Sequence, residues 1–373
     1  MMSCLQIGAL RFGFGFLLLL ALAAAHAGQG MLSAKPEPLA AGYQANTPAV
    51  QLPIEIGPKA RYQDLNPITL AELGDQARRG DFAATAGALA IVYPDIGEPY
   101  RSIFARIIEG IEDGAKSAVR HYPIGPNVES AELGAQLKRN GAKVVIALGR
   151  QGLKAVSGLD RDIPVVVGGV LAVPENETRN LTGVSLTPDP ALLFSRLKSL
   201  LPGVKRVIVI YNPQNNEWLI KFAREAAKAQ GLELVAHEAR DLASAARLYE
   251  SAFAYSEARR DAIWLPQDAT TVDETIILPL VLKESWNRNV PVFSSSFLHV
   301  KKGALFALYP NNLELGRTLA GSALAAMAGD SRRRGVQPLR EVQTAVNLRT
   351  ASHIGLSIGY QEQRNFDFIF PEP

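Results

Sequence analysis

Residues 91–94 read Ile91-Val92-Tyr93-Pro94, and residues 210–213 read Ile210-Tyr211-Asn212-Pro213. The first closes an apolar run from Ala88 to Tyr93 and the second a run from Arg206 to Tyr211. Each then leads through a Pro-containing loop into a long helical pattern. Near-continuous Val, Ile and Leu is the pattern of a parallel strand covered on both faces. Working outward, similar runs lie at Lys143 to Gly149, Ile163 to Val170, Leu232 to Glu238, Ala262 to Pro266, Val290 to Ser295 and Ala304 to Tyr309. Helical stripes fall between them. One is Ile103, Ile107, Ile108, Ile111 and Ala115. Another is Leu192, Leu193, Leu197 and Leu200, ended by Pro202-Gly203. A third is Trp218, Ile220, Phe222, Ala226 and Ala229, closed by Gly231. Alternating strands and helices predict an α/β fold. The likeness of the two half-chains predicts two similar doubly wound parallel-sheet lobes with a hinge. The expected division is 86–186 plus 309–332 for the first lobe and 187–308 plus 333–373 for the second.

The composition suits such a body. Of 373 residues, 47% are hydrophobic and 20% charged, which is enough apolar material to bury a core and excludes disorder as the dominant state. The 39 Lys+Arg against 36 Asp+Glu leave a net charge of +3, too small a basic excess for a nucleic-acid-binding surface. The single cysteine, Cys4, excludes intrachain disulfides and a Cys-based zinc site.

The opening segment reads as an address. Arg11 is the only charge in the first 34 residues; an apolar run follows from Phe12 to Ala25, and Ala25-His26-Ala27 is a small-x-small site. This predicts a secretory signal peptide over 1–27, since the run is short of the roughly 20 residues a membrane span needs. Residues 28–85 carry Pro at 36, 38, 48, 53, 58 and 67 and read as an extended lead segment, with a short helix expected from Ile68 to Arg79. The mature protein is therefore expected to be exported, periplasmic and soluble.

Catalytic and cofactor motifs are scarce. Gly355-Leu356-Ser357-Ile358-Gly359 matches the serine-hydrolase pattern, but that chemistry needs a strand-to-helix turn and a later His. Here His353 precedes Ser357 and the stretch from Thr350 to Ile354 looks helical. His121, His237, His299 and His353 are isolated, without metal-ligand spacing. No phosphate-cradling Gly-rich motif occurs beyond the opening segment. Asn176-Glu177-Thr178 and Asn180-Leu181-Thr182 fit the glycosylation pattern, and Arg332-Arg333-Arg334 reads as a solvated loop. The chain is thus expected not to be an enzyme and to need no cofactor or metal.

What remains is polar residues at strand ends, where open α/β sheets bind ligands. Tyr93, Glu98 and Tyr100 follow the first strand; Arg150 and Gln151 follow the next clear one, and Gly169 ends the third. In the second half, Asn215 and Glu217 follow the strand ending at Tyr211. Asp268 and Thr270 follow Trp264-Leu265-Pro266, Ser295 follows Val292-Phe293, and Tyr309 ends the last run. An amino acid needs donors for its carboxylate and an acceptor for its ammonium. Hydroxyls and helix-start N–H groups suit the first, and Asp268 the second, although Asp268 equally suits a helix cap. Arg150 fits either an anionic ligand group or an ion pair between lobes.

The ordered set Thr182-Gly183-Val184, Leu201-Pro202-Gly203-Val204-Lys205-Arg206, Tyr211-Asn212-Pro213, Pro266-Gln267-Asp268, Pro291-Val292-Phe293, Gly303-Ala304-Leu305, Leu315-Gly316-Arg317 and Asn347-Leu348-Arg349-Thr350-Ala351 spans roughly residues 86–360. It resembles the periplasmic substrate-binding proteins of ABC importers, closest to the tryptophan and aromatic amino-acid group. The resemblance implies a type I periplasmic-binding fold that captures a small-molecule ligand between lobes and delivers it to a membrane permease, as a monomer. The chain departs from the family's pattern in its lead segment, at Arg150-Gln151, and at Gly168 to Pro174, where an Asp-Pro pair is usual. The two loop departures fall on the first lobe's side of the site. A sensory protein of the same fold, passing occupancy to a membrane receptor such as a histidine kinase, is the alternative; an exported enzyme on this scaffold is the third reading.

Overall fold

The two stretches that announce the fold are central strands. β1 (Leu89–Pro94) is buried along its whole length, and β6 (Arg206–Tyr211) from its second residue on. The computed structural model describes residues 88–98, 100–159, 162–171, 181–330 and 335–372. The signal peptide over 1–27, the lead segment over 28–85 with its short helix, both Asn-x-Thr motifs in the main and Arg332 to Arg334 lie outside the described residues.

The first lobe runs β1, α1 (Tyr100–Ala115), β2 (Val119–Ile124), α2 (Ser130–Arg139), β3 (Val144–Leu148), α3 (Gly149–Ala155), β4 (Val165–Val170) and β5 (Thr182–Pro188). The chain then builds the second lobe with α4 (Pro190–Leu200), β6, α5 (Pro213–Ala229), β7 (Glu233–Glu238), α6 (Leu242–Tyr255), β8 (Asp261–Leu265), α7 (Ile277–Arg288), β9 (Val292–Ser294), α8 (Phe297–Lys302) and β10 (Phe306–Pro310). It returns to the first lobe for α9 (Asn312–Met327) and β11 (Gly335–Leu339). It ends in the second with β12 (Val342–Asn347), α10 (Leu348–His353), α11 (Tyr360–Gln363) and β13 (Phe368–Phe370).

The first sheet has the order β11-β5-β4-β3-β1-β2 and the second β13-β12-β10-β9-β8-β6-β7. Every pairing in the first sheet is parallel. In the second, β12 runs antiparallel to β10 and the other pairs are parallel. The chain is thus two α/β lobes, each a sheet covered by helices.

The sequence places the first two boundaries two residues early and the last one further off. Gly335–Leu339 pairs with β5 in the first sheet, so the last crossing falls at Arg340-Glu341 and not at 332/333. The buried face of α5 is also rotated from the expected stripe. Leu219, Ile220, Ala223, Ala226 and Ala227 face the core, whereas Trp218 and Phe222 are half-buried and meet edge to face. Small alanines let the helix lie close to the sheet, and the two large rings sit at its margin.

Packing follows chain alternation. In the first lobe one sheet face buries Leu89, Ile91 and Ile146 against Ile107, Ile111 of α1 and Leu315, Leu319 of α9. In the second lobe Phe194, Trp264, Phe293 and Phe306 form an aromatic centre, with Phe194 edge-on to Trp264 at 5.6 Å between centroids. Burying such side chains contributes roughly 1.5–3 kcal/mol each.

Three crossings join the lobes: Pro188-Asp189, Pro310-Asn311 and Arg340-Glu341. They brace one another. Asp189 N–H donates to Leu339 O at 2.8 Å, and its carboxylate both caps α4 through Ala191 N–H at 2.8 Å and pairs with Arg340 at 2.6 Å. Asn311 N–H donates to Glu341 O at 2.9 Å, and Thr318 Oγ1 donates to Glu341 Oε1 at 3.0 Å. Val342 packs against the cores of both lobes.

Candidate functional site

The crossings decide where a site can be. The first two leave from the C-terminal ends of β5, parallel to both its neighbours, and of β10, parallel to β9, and the third leaves from the end of β11. The C-terminal tips of β12 and β13 therefore lie on the opposite side from the crossings, and those of β1 to β11 on the side of the crossings. Open α/β sheets bind ligands outside these ends.

On the first lobe, Gly149 and Gly169 shape the tips of β3 and β4. Both have left-handed φ, +70° and +66°, and a Cβ on either would come within 3.0 Å of the Phe104 ring. Only glycine combines that backbone with that proximity. Arg150 and Gln151 follow as exposed residues in the first turn of α3. Tyr100, 59% exposed, opens α1, and Leu171, 50% exposed, follows β4. Glu98 spends its carboxylate on the same helix start, accepting from Ser102 Oγ at 2.8 Å and Ser102 N–H at 3.3 Å. Tyr93 belongs to the core. Strand alternation turns it to the side of Leu89 and Ile91, edge-on to His121, and burial with nearby Asp95 and Glu112 pushes its hydroxyl up to about 12.

On the second lobe the loops after β6 and β8 are tied together by Asp268, which is buried. Its carboxylate accepts from Asn212 N–H at 2.7 Å, Asn216 Nδ2 at 2.9 Å and its own loop's Thr270 N–H at 3.0 Å. Asn212 caps α5 through Gln214 N–H at 3.0 Å and donates from Nδ2 to Thr270 Oγ1 at 3.2 Å. Glu217 accepts from Tyr211 OH at 2.8 Å. Burial first, then that bond, pushes the Tyr211 hydroxyl up to about 12. Asn215 is exposed, its carbonyl accepting from Trp218 Nε1 at 3.1 Å. Ser295 is wholly buried: its hydroxyl accepts from Trp264 Nε1 at 3.2 Å and its carbonyl from Gln267 Nε2 at 3.1 Å. Tyr309 packs its ring on Phe297 at 5.1 Å.

The structure thus places Tyr100, Arg150, Gln151, Gly169, Asn215 and Thr270 at strand tips or in the loops and helix starts that follow them. It gives Glu98, Glu217, Asp268 and Ser295 partners within their own lobes and sets Tyr93 in a core. Leu171 and Leu298, each 50% exposed at a strand tip, were not singled out from the sequence. The signal is an apolar residue one or two positions after a strand-ending Gly-rich or polar group, Gly168-Gly169-Val170 and Ser294-Ser295-Ser296.

Other chemistries find no constellation among the described residues. Ser357 follows helix α10, not a strand, and His353 Nε2 is engaged by Trp286 O at 2.8 Å. No group of three His, Cys, Asp or Glu is placed to hold a metal, and no helix is long and apolar enough to cross a membrane.

Solved structures are similar to this chain. A ligand-free, open substrate-binding protein with adhesive properties from Clostridium difficile is 16% identical, with a TM-score of 0.56 over 75% of this chain and 98% of that one. An ABC domain from Streptococcus pneumonia, solved in complex with L-Trp, is 18% identical, with a TM-score of 0.49 over 76% of this chain and 100% of that one. A glucose-galactose binding protein from Geobacillus stearothermophilus is 14% identical, with a TM-score of 0.41 over 69% and 96%. No curated protein matches the sequence. The family model described as ABC transporter substrate binding protein matches residues 104–363, well over half of the sequence, and the chain belongs to that family of non-catalytic solute-binding proteins.

Proposed function

We propose that the protein is the exported, periplasmic ligand-capturing component of an importer, and that it takes an amino acid or a related small carboxylate between its lobes. The observation that supports this reading is the position of the crossings: they leave from the strand tips, so the polar loops after the strands of both sheets lie on the side where the lobes are joined. Arg150 and the Thr270 hydroxyl are suited to a carboxylate, and the exposed Tyr100, Leu171 and Leu298 to an apolar or aromatic side chain. Asp268 contributes by holding the loops after β6 and β8 in place. Binding acts as a population shift: a solute that touches both lobes stabilises the closed arrangement by the contacts it makes only there. The protein then passes its ligand, as a monomer, to a membrane permease.

The reading is tested by melting the purified protein with each of the twenty L-amino acids. Aromatic members are expected to raise the melting temperature in a concentration-dependent way by mass action. No shift with any amino acid or small carboxylate removes this ligand class.

A further inference from the structure

The three carboxylates expected at the strand tips, Glu98, Glu217 and Asp268, all accept from protein donors. One acceptor in the same loops does not. Gln267 sits in the loop after β8, its Nε2 donating to Ser295 O at 3.1 Å and its backbone oxygen facing Asn216 Nδ2 at 3.4 Å. Its side-chain Oε1 is buried and has no donor. The orientation of the amide is fixed by the Ser295 carbonyl, because the flipped amide would set oxygen against oxygen. A second buried amide oxygen in the same condition, Asn312 Oδ1, lies at the start of α9, just beyond the tip of β10. β8 and β10 flank β9, so these tips are about 10 Å apart across two strand spacings. Buried acceptors are rarely left unsatisfied in folded proteins, and an orphan at a strand tip points to a guest that completes it.

We propose that Gln267, with Asn312 two strand spacings away, forms a neutral acceptor pair that reads N–H or O–H donors of the bound solute. The donor end of the ligand is then recognised by amide oxygens and not by a carboxylate. The class consequently includes hydroxyl-bearing as well as ammonium-bearing small molecules. This inference rests on the lobe-tip site described above and refines its chemistry.

The test uses the full chain and three sets of probes: L-amino acids, their 2-hydroxy-acid counterparts and aldohexoses. Affinity is measured calorimetrically for wild type, Gln267→Met and Gln267→Glu. For a probe that binds wild type, Gln267→Met is expected to weaken binding at least about tenfold while its unliganded melting temperature stays near wild type. Gln267→Glu keeps an acceptor at the same reach and is expected to retain an ammonium-bearing probe. Wild-type affinity in Gln267→Met overturns the assignment while leaving the amino-acid reading intact. Binding of hexoses alone, lost in Gln267→Met, supports the acceptor pair and overturns the amino-acid reading. If no probe of any set binds wild type, the acceptor pair is overturned as well.

Discussion

Gly110 of α1 and Gly316 of α9 are packed backbone against backbone: a Cβ on Gly316 would stand 2.8 Å from Gly110 Cα, and one on Gly110 would stand 3.0 Å from Gly316 Cα. The contact joins a helix from the beginning of the first lobe to one that returns only after most of the second lobe has been built. Gly316→Ala is expected to destabilise the protein by roughly 1–3 kcal/mol through overpacking. Gly321→Ala on the same helix, where a Cβ meets open space, is expected to stabilise by about 0.5–1 kcal/mol through helix propensity. Urea unfolding of the two variants should give opposite signs.

Asp268 is a brace, so its removal strands several buried donors at once. Asp268→Ala is expected to cost about 3 kcal/mol or more, since each donor left unsatisfied costs roughly 1–3 kcal/mol. The residues it holds, Asn212 and Asn216, are themselves buried. Denaturant midpoints compared with Ser357→Ala, an exposed control, check this.

The opposite end of the second sheet carries a different device. Arg206 at the start of β6 and Asp261 at the start of β8 pair through two bonds, Nε to Oδ1 at 2.9 Å and Nη2 to Oδ2 at 2.5 Å, with Asp261 wholly buried. Asp261 also accepts from Glu257 N–H at 2.8 Å. Leaving the buried Asp261 carboxylate without its partner is expected to cost about 3–5 kcal/mol in Arg206→Ala. Breaking the exposed Arg240–Glu238 pair, 4.0 Å apart, is expected to cost well under 1 kcal/mol in Arg240→Ala. Chemical denaturation distinguishes the two.

His299 gives stability a pH dependence. It is buried, its Nδ1 2.7 Å from Ser294 Oγ, and burial lowers its pKa to about 4 against an ordinary 6.5. The unfolded chain therefore binds a proton at a higher pH than the folded one. The contribution is fully present above about pH 6.5 and is lost as pH falls toward 4, roughly 3 kcal/mol at full extent. His299→Asn should flatten the stability profile across that window, as read from urea midpoints at a series of pH values.

Much of the fold was legible because its central strands are near-continuous apolar runs. β1, β3 and β8 are buried throughout and β6 and β10 over most of their length, and such runs carry their own signature. β2 was hidden because Val119–Ile124 is a half-exposed edge strand that contains Arg120, His121 and Pro123. β11 was misassigned for a related reason: Gly335–Leu339 has little apolar pattern and owes its place to pairing with β5, a strand about 150 residues earlier. For the tip loops, chain order showed which residues follow a strand. It could not show that Tyr93 turns inward or that Asp268 and Ser295 spend their polar atoms on neighbouring loops. Those outcomes depend on partners brought together only by the sheet.

The central claim is that one solute touches the strand-tip loops of both lobes together. Hydrogen–deuterium exchange with an amino acid that raises the melting temperature tests it most directly. Slowed exchange is predicted in 94–98, 100–102, 149–151 and 169–171 of the first lobe and, in the same titration, in 212–217, 267–271 and 294–298 of the second. Protection confined to one lobe, or appearing at the strand starts near Arg206 and Asp261, would contradict the account.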